Sequence, residues 1–273
     1  MNQFTSAPHL CQPDGQKSCA WCCGLYNVRS SSRDALNHRL RARTERFART
    51  DRSVTGIQHY SASSSSTEKP ETIDPGFYSC EFVGFLDTFE TRVGCMLHPL
   101  VLGNNGIDWR GLSFHGGMAC QGFLCSSFRE LRRAEKRVLL SIVQDWYLYG
   151  LVVSDAGYVK SFFHLAAKKL RNRIDMAKLL TPPASTLVHE FFNWKIDWPY
   201  RNRDSNPPRL TDLGFSKTKQ RGSRRDSARE SLACMDLMFE SLGSEFRSQR
   251  ERQDAEWEVD HLFSRLQGVM LQG

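Results

Sequence analysis

The amino-acid sequence predicts a mainly α-helical protein whose N-terminal half is irregular, loop-rich and cysteine-containing and whose C-terminal half is helical. Three observations carry this expectation. Eight of the nine cysteines lie within the first 125 residues, and only Cys234 lies beyond them. The same half is punctuated by Gly, Ser and Pro, residues that favour turns. From Ser127 onward, apolar residues recur at the three- and four-residue steps of helix faces. With 273 residues, 40% apolar and 25% charged, the chain has the composition of a soluble globular protein of one large or two small domains.

Composition divides the chain into a cysteine-rich region over 1–126, a helical region over 127–200, a polar linker over 201–226 and C-terminal amphipathic helices over 227–273. Ser31-Ser32-Arg33-Asp34 predicts an N-cap, followed by a helix to about Arg49 with Leu36, Leu40 and Phe47 among arginines. Ser61 to Pro75, with four consecutive serines and two prolines, predicts a mobile loop, because such a composition buries too little to offset chain entropy. Cys80 to Leu86 and Arg92 to Leu97 predict short strands or extended arms, and Asn104-Asn105-Gly106 and Gly116-Gly117 predict turns.

Ser127 with Glu130 has capping-box spacing and predicts a helix to about Tyr149. A second helix is expected over Asp155 to Asp175 and a third from Ser185. Trp198 to Asp226, polar and containing Pro207-Pro208, reads as a linker. Ser227 with Glu230 and Ser248 with Glu251 open two further amphipathic helices joined near Gly243, whose apolar stripes must dock on the body or on another subunit. A protein partner or a homo-oligomer formed through these C-terminal helices is therefore expected.

No apolar stretch approaches the roughly 18–20 residues that span a bilayer, so no membrane association is expected. Met1 to Cys11 lacks a basic segment followed by an apolar one, which predicts no secretory signal and a cytoplasmic location. In that reducing compartment, cysteines serve as metal ligands, reactive thiols or small buried hydrophobes more readily than as disulfide partners.

The cysteines fall into three groups: Cys11-x7-Cys19-x2-Cys22-Cys23, then Cys80 with Cys95, then Cys120-x4-Cys125. Closely spaced thiols separated by loops can surround a soft metal at about 2.3 Å. Adjacent Cys22 and Cys23 imply an irregular turn or two neighbouring ions, and Gly24, Gly94 and Gly122 would allow the tight backbone such loops need. The alternative is a set of buried cysteines acting as small hydrophobes.

The pattern Cys19-Ala-Trp-Cys22-Cys23-Gly24, Cys80 ahead of Phe85-Leu86-Asp87, Gly94-Cys95-Met96-Leu97-His98-Pro99 and Cys120-x-x-Phe123-x-Cys125 resembles the YkgJ-type zinc- or iron-chelating proteins over residues 11 to 125. The resemblance implies metal ligation by Cys19, Cys22, Cys23, Cys80, Cys95, Cys120 and Cys125, with Cys11 as the eighth ligand. It implies metal binding but no particular reaction. The chain departs from the family in the long gap between Cys11 and Cys19, and in Phe114-His115-Gly116-Gly117 where an arginine-proline pair is usual. Thiolate-only ligation suits zinc or an iron–sulfur cluster equally.

Two histidines, His98 and His115, could complete the ligand set, and Trp21, Phe82, Phe85, Phe114 and Phe123 could form an apolar shell around it. Cys234 reads as a small buried residue. The formal charge of +7 draws attention to Arg33, Arg39, Arg41, Arg43, Arg46 and Arg49, and to Arg129, Arg132, Arg133 and Arg137. Without a stacking-aromatic pattern these read as solvated faces, and nucleic acid is not expected as a partner. Glycine-rich phosphate loops, Gly-x-Ser-x-Gly elbows and His-Glu-x-x-His pairs are absent from the sequence. The leading expectation is a metal-binding protein with a cysteine-ligated zinc or iron–sulfur centre; the alternatives are a metal-dependent redox or methyl-transfer enzyme and a zinc-stabilised nucleic-acid-binding protein.

Overall fold

The protein is mainly helical with one small two-stranded sheet. The computed structural model describes residues 9–14, 17–68, 71–171, 173–202 and 227–272, without the side chains of 227–233. Most of the expected polar linker therefore lies outside the described residues. The chain forms two compact units, one comprising Cys11–Cys125 with Asp145–Gly150 and the other comprising Met1–Leu10, Ser126–Gln144 and Leu151–Gly273. They are called here the thiol unit and the helical unit.

The thiol unit contains α1 (Arg33–Ala48) and α2 (Val54–Thr67), so helix and loop do not divide at the middle of the chain as expected. Helix α1 starts where the sequence predicts it, with the Ser32 side chain accepting the Ala35 N–H at 3.3 Å. It buries Leu36, Leu40 and Phe47.

Helix α2 overturns the predicted loop, since Ser61 to Thr67 are helical. Its serines return their hydroxyls to the preceding turn: Ser63 donates to the Tyr60 carbonyl at 2.9 Å and Ser65 to the Ser61 carbonyl at 3.0 Å. One face buries Ile57, Tyr60 and Ser64, and Tyr60 joins Phe47 and Phe82 in an aromatic cluster with centroids 5.1 to 6.1 Å apart. Composition alone missed this anchoring face.

The short strands β1 (Val83–Phe85) and β2 (Val93–Cys95) pair antiparallel in the register Val83 to Cys95, Gly84 to Gly94 and Phe85 to Val93. At Gly84 an added Cβ would lie 2.5 Å from Met96 Sδ and 2.6 Å from Thr44 Oγ1, which leaves no room for a larger residue. The predicted turn at Asn104-Asn105-Gly106 is present, with Asn105 and Gly106 at φ 51° and 78°. Gly116-Gly117 instead open α3 (Gly116–Gly122).

The predicted single helix from Ser127 to Tyr149 is three helices: α4 (Ser126–Glu130), α5 (Arg133–Ile142) and α6 (Trp146–Val153). The capping serine proposed from spacing is spent elsewhere, because Ser127 is buried and donates to the Val153 carbonyl at 2.6 Å. Glu135 starts α5 by accepting the Arg132 N–H at 2.7 Å, and Asp145 starts α6 by accepting the Leu148 N–H at 2.8 Å.

In the helical unit, α7 (Ala156–Lys169) begins at Asp155 as expected but ends before Asp175, where Arg171 adopts φ 50°. Helix α8 (Ala184–Asp197) follows, then α9 (Ser227–Ser241) and α10 (Gln249–Leu271), with Gly243 between them at φ 66°. Helix α9 packs on α7, and α10 packs on α7 and α8. Phe162, Phe191, Phe192 and Phe263 interlock at centroid distances of 5.2 to 5.8 Å. Each such buried ring contributes on the order of 1.5–3 kcal/mol relative to exposure.

Candidate functional site

The cysteines of the thiol unit are held by main-chain joints. Trp21–Cys23 form a short 3-10 turn that ends at Gly24, φ 75°, whose N–H donates to the Trp21 carbonyl at 2.8 Å. A Cβ at Gly24 would lie 2.4 Å from the Tyr78 carbonyl oxygen, so glycine lets the two segments touch. Beside that contact the Cys80 N–H donates to the Cys23 carbonyl at 2.8 Å and Ser79 Oγ donates to the Gly24 carbonyl at 2.7 Å. A second joint runs from the Cys19 N–H to the Cys11 carbonyl at 2.8 Å. Asn27 secures the partner segment by donating to the Asp74 and Phe77 carbonyls at 2.9 and 2.6 Å.

The thiols influence one another in a chain: Cys11, Cys19, Cys22 and Cys125 act on each other, Cys23 links Cys22 to Cys80 and Cys95, and Cys95 faces Cys120. Burial pushes the Cys11 thiol up to about 12, and the neighbouring Cys22 and Cys125 add to that. Burial likewise raises Cys19 and Cys80, and it carries Cys95 to about 11 against the Leu97 N–H. Cys22 moves the other way: the Cys23 thiol donates a hydrogen bond to it and holds it below the ordinary thiol value, although burial opposes this. Cys23, the donor, is raised by the same bond and by burial.

Among the described residues, no group of three or more His, Cys, Asp or Glu side chains is placed to hold a metal ion. This overturns the expected zinc or iron–sulfur centre at Cys11, Cys19, Cys22, Cys23, Cys80, Cys95, Cys120 and Cys125. The metal-binding function, the metal-dependent enzyme and the zinc-stabilised nucleic-acid binder fall with it. The physical reason lies in the joints. A main-chain hydrogen bond such as Cys80 to Cys23 aligns two backbones without bringing several sulfurs to one point, whereas a thiolate site needs about four donors at bonding distance from a single ion.

The surrounding residues are committed in the same dispersed way. His98 Nδ1 accepts the Leu100 N–H at 3.2 Å, and burial lowers its pKa. His115 packs edge-on against Tyr78 and Phe114. Four of the five aromatic residues expected to form one shell separate: Trp21 meets Phe77, Phe82 meets Tyr60, Phe85 meets Trp146 and Phe114 stacks on Tyr78 at 4.1 Å. On α1, Arg33 pairs with Asp145 at 2.5 Å, Arg41 with Glu90 at 2.6 Å and Arg43 with Glu68 at 2.8 Å, while Arg46 also reaches Glu68. Cys234 is buried in the helical unit.

Sequence reading missed a polar network after β2. Arg110 binds the Asp108 carboxylate through Nε and Nη2 at 2.8 and 2.6 Å, and Gln121 donates to the same carboxylate at 2.7 Å. The spacing Asp108-x-Arg110 was a visible but weak signal for it. No helix among the described residues is long and apolar enough to cross a membrane. No family model, curated protein or solved structure matches the chain.

Proposed function

We propose that the thiol unit performs thiol–disulfide exchange, with Cys22 as the attacking thiolate and Cys19 as the resolving thiol. The observation that carries this reading is the Cys19-Ala-Trp-Cys22 spacing, with Cys22 on the Trp21–Cys23 3-10 turn and the adjacent Cys23 thiol lowering its pKa. A hydrogen bond to a thiolate lowers the cost of forming it, and the thiolate is the nucleophile. The Trp21 N–H, 3.4 Å from Cys19 Sγ, orients the second sulfur.

In the first step the Cys22 thiolate attacks one sulfur of a disulfide, forming a mixed disulfide and releasing the other sulfur as a thiolate. The Cys19 thiol, on losing its proton, then attacks Cys22 Sγ, which releases the second thiol and leaves a Cys19–Cys22 disulfide. Two electrons pass from the protein to the substrate. The reading places the chain in the cytoplasm, where such a dithiol is returned to its reduced form. It retains the YkgJ-type resemblance of residues 11 to 125 as a proposal based on residue order alone. A protein partner or second copy is proposed at the C-terminal helices, where Leu237 and Trp257 are exposed.

Oxidised glutathione is the probe. Peptide mapping of the full chain should find glutathione transiently on Cys22 and then a Cys19–Cys22 disulfide, and Cys19→Ser should arrest the reaction at the mixed disulfide. Iodoacetamide labelling should keep its rate at Cys22 to lower pH than at Cys95, because the Cys22 pKa is lowered and that of Cys95 is raised. Glutathione distributed evenly over the cysteines, or unchanged loading in Cys22→Ser, would reject the proposal.

A further inference from the structure

The polar network beyond β2 points to a second thiol pair, separate from Cys19 and Cys22. Strand β2 ends at Cys95, and the chain returns to that end where the Trp109 N–H donates to the Leu97 carbonyl at 3.1 Å. The next residue, Arg110, is tied to Asp108, which also receives the Gln121 amide at 2.7 Å. Gln121 follows Cys120 on α3, and Ser113 Oγ lies 3.5 Å from Cys120 Sγ. Gly117 and Gly111 pack closely enough that a Cβ on the former would lie 3.5 Å from the latter's nitrogen. This succession of contacts carries Cys120 back toward the end of β2, with Ser113, whose N–H donates to the Arg110 carbonyl at 3.1 Å, linking Cys120 to Arg110.

Helix α3 is otherwise lightly held. It has no buried residue, Met118 on it is 93% exposed, and the preceding Phe114 is anchored through its stack on Tyr78. A covalent link from α3 to β2 would therefore change its mobility more than any of its existing contacts does.

We propose that Cys95 and Cys120 are a peroxide-oxidisable pair whose disulfide fastens α3 to the end of β2, with Arg110, held by Asp108 between the two segments, as the positioning residue. The co-reactant is a hydroperoxide. The Cys120 thiolate attacks one peroxide oxygen, the O–O bond breaks, and protonation of the departing oxygen gives the sulfenic acid and water. The Cys95 sulfur then attacks Cys120 Sγ, the S–O bond breaks, and the oxygen leaves as a second water as the Cys95 proton is taken up. Two thiols lose two electrons, and hydrogen peroxide is reduced to two waters. The positive charge of Arg110 works against the burial that raises the Cys95 thiol, so it favours the second step, the attack of the Cys95 sulfur.

The test uses the full chain carrying Cys22→Ser, so that the outcome does not depend on the exchange chemistry proposed above. After treatment with stoichiometric hydrogen peroxide, non-reducing peptide mapping should join the Cys95 peptide to the Cys120 peptide. Hydrogen exchange over residues 116–122 should slow at least severalfold and return on adding dithiothreitol. Cys120→Ser should lose both signals, and Arg110→Gln should slow formation of the link about tenfold while the final product is unchanged. A link from Cys95 to Cys23 or Cys80, unmodified thiols at Cys95 and Cys120, or an Arg110→Gln rate equal to the parent's would overturn the proposal. Should Cys120→Ser prove unfolded by circular dichroism, Cys120→Ala provides the same loss-of-link reading.

Discussion

Inside the helical unit, Lys195 and Asp155 meet at 2.6 Å with both side chains under 5% exposed, whereas the loops that carry Cys11, Cys19, Cys23 and Cys80 in the thiol unit are joined by main-chain hydrogen bonds. In the first case the carboxylate has two tasks, pairing with Lys195 and capping α7 through the Tyr158 N–H at 2.8 Å, while Lys195 Nζ lies 4.8 Å from the Tyr158 ring centre. Lys195 completes its own set by donating to the Ser241 carbonyl at 2.9 Å. In the second case Gly24, Asn27 and Cys80 hold loops together with neutral groups. A core of packed helices can bury a charge because the remaining contacts fix its partner. Loops around thiols have no such redundancy, so their geometry depends on individual joints and on glycine.

The largest expected effect follows from stranding the buried charge. Lys195→Met should cost about 3–5 kcal/mol in urea unfolding, because it leaves Asp155 without its counter-ion. Adding Asp155→Leu should recover most of the loss but not the helix cap, which is worth about 1 kcal/mol. A Lys195→Met variant as stable as the parent would show that the pair is not formed in solution. The pH response has a definite sign. Burial pushes Asp155 up, but Lys195 together with the hydrogen bonds from the Tyr158 N–H and Ser241 more than offsets this and holds the carboxyl below the usual range. Its contribution is therefore complete above the unfolded carboxylate pKa and is lost as pH falls through the lower folded value. Burial lowers the Lys195 pKa, and Asp155 only partly counters it, so desolvating the lysine subtracts from the net worth of the pair.

At the joint between Trp21–Cys23 and Tyr78–Cys80, Gly24→Ala forces a Cβ to 2.4 Å from a carbonyl oxygen at φ 75°. A cost of about 1–3 kcal/mol is expected. Because the Cys80 N–H to Cys23 carbonyl bond lies at the same contact, labelling of the buried Cys80 should accelerate in this variant. Unchanged Cys80 labelling alongside lowered stability would place the strain away from the joint.

The sequence made the helices of the helical unit legible for a physical reason. Apolar residues of α7, α8 and α10 recur at helical spacing, and Asp155 and Ser248 mark their starts. The short strands and the Ser32 cap were equally readable. Helix α2 was not, because its stabilising face is three residues, Ile57, Tyr60 and Ser64, diluted among serines. Its start depends on Ser53 accepting the Gly56 N–H at 3.1 Å, and Ser53→Ala should cost about 1 kcal/mol and reduce protection of the first turn in hydrogen exchange. The break after Glu130 was hidden because the spacing of Ser127 and Glu130 imitates a cap, while Ser127 serves Val153 and Glu135 starts the next helix. For the thiols, spacing told which residues lie near one another in the chain, but not in which direction each sulfur points. A metal site requires that direction, and sequence spacing does not encode it.

The smallest effect has the opposite sign and tests whether glycine means different things in the two units. Gly268 lies within α10 on its exposed side, and a Cβ there would meet nothing within 4 Å. Gly268→Ala should therefore stabilise the protein by about 0.5–1 kcal/mol, since alanine restricts the unfolded chain and suits a helix interior. Set beside the expected loss at Gly24, a gain at Gly268 would show that the thiol unit uses glycine for close approach of backbones, whereas the helical unit tolerates it. A loss at both positions, measured by the same urea titration, would mean that the Gly268 face of α10 is covered in solution, as expected if a partner or second copy docks there.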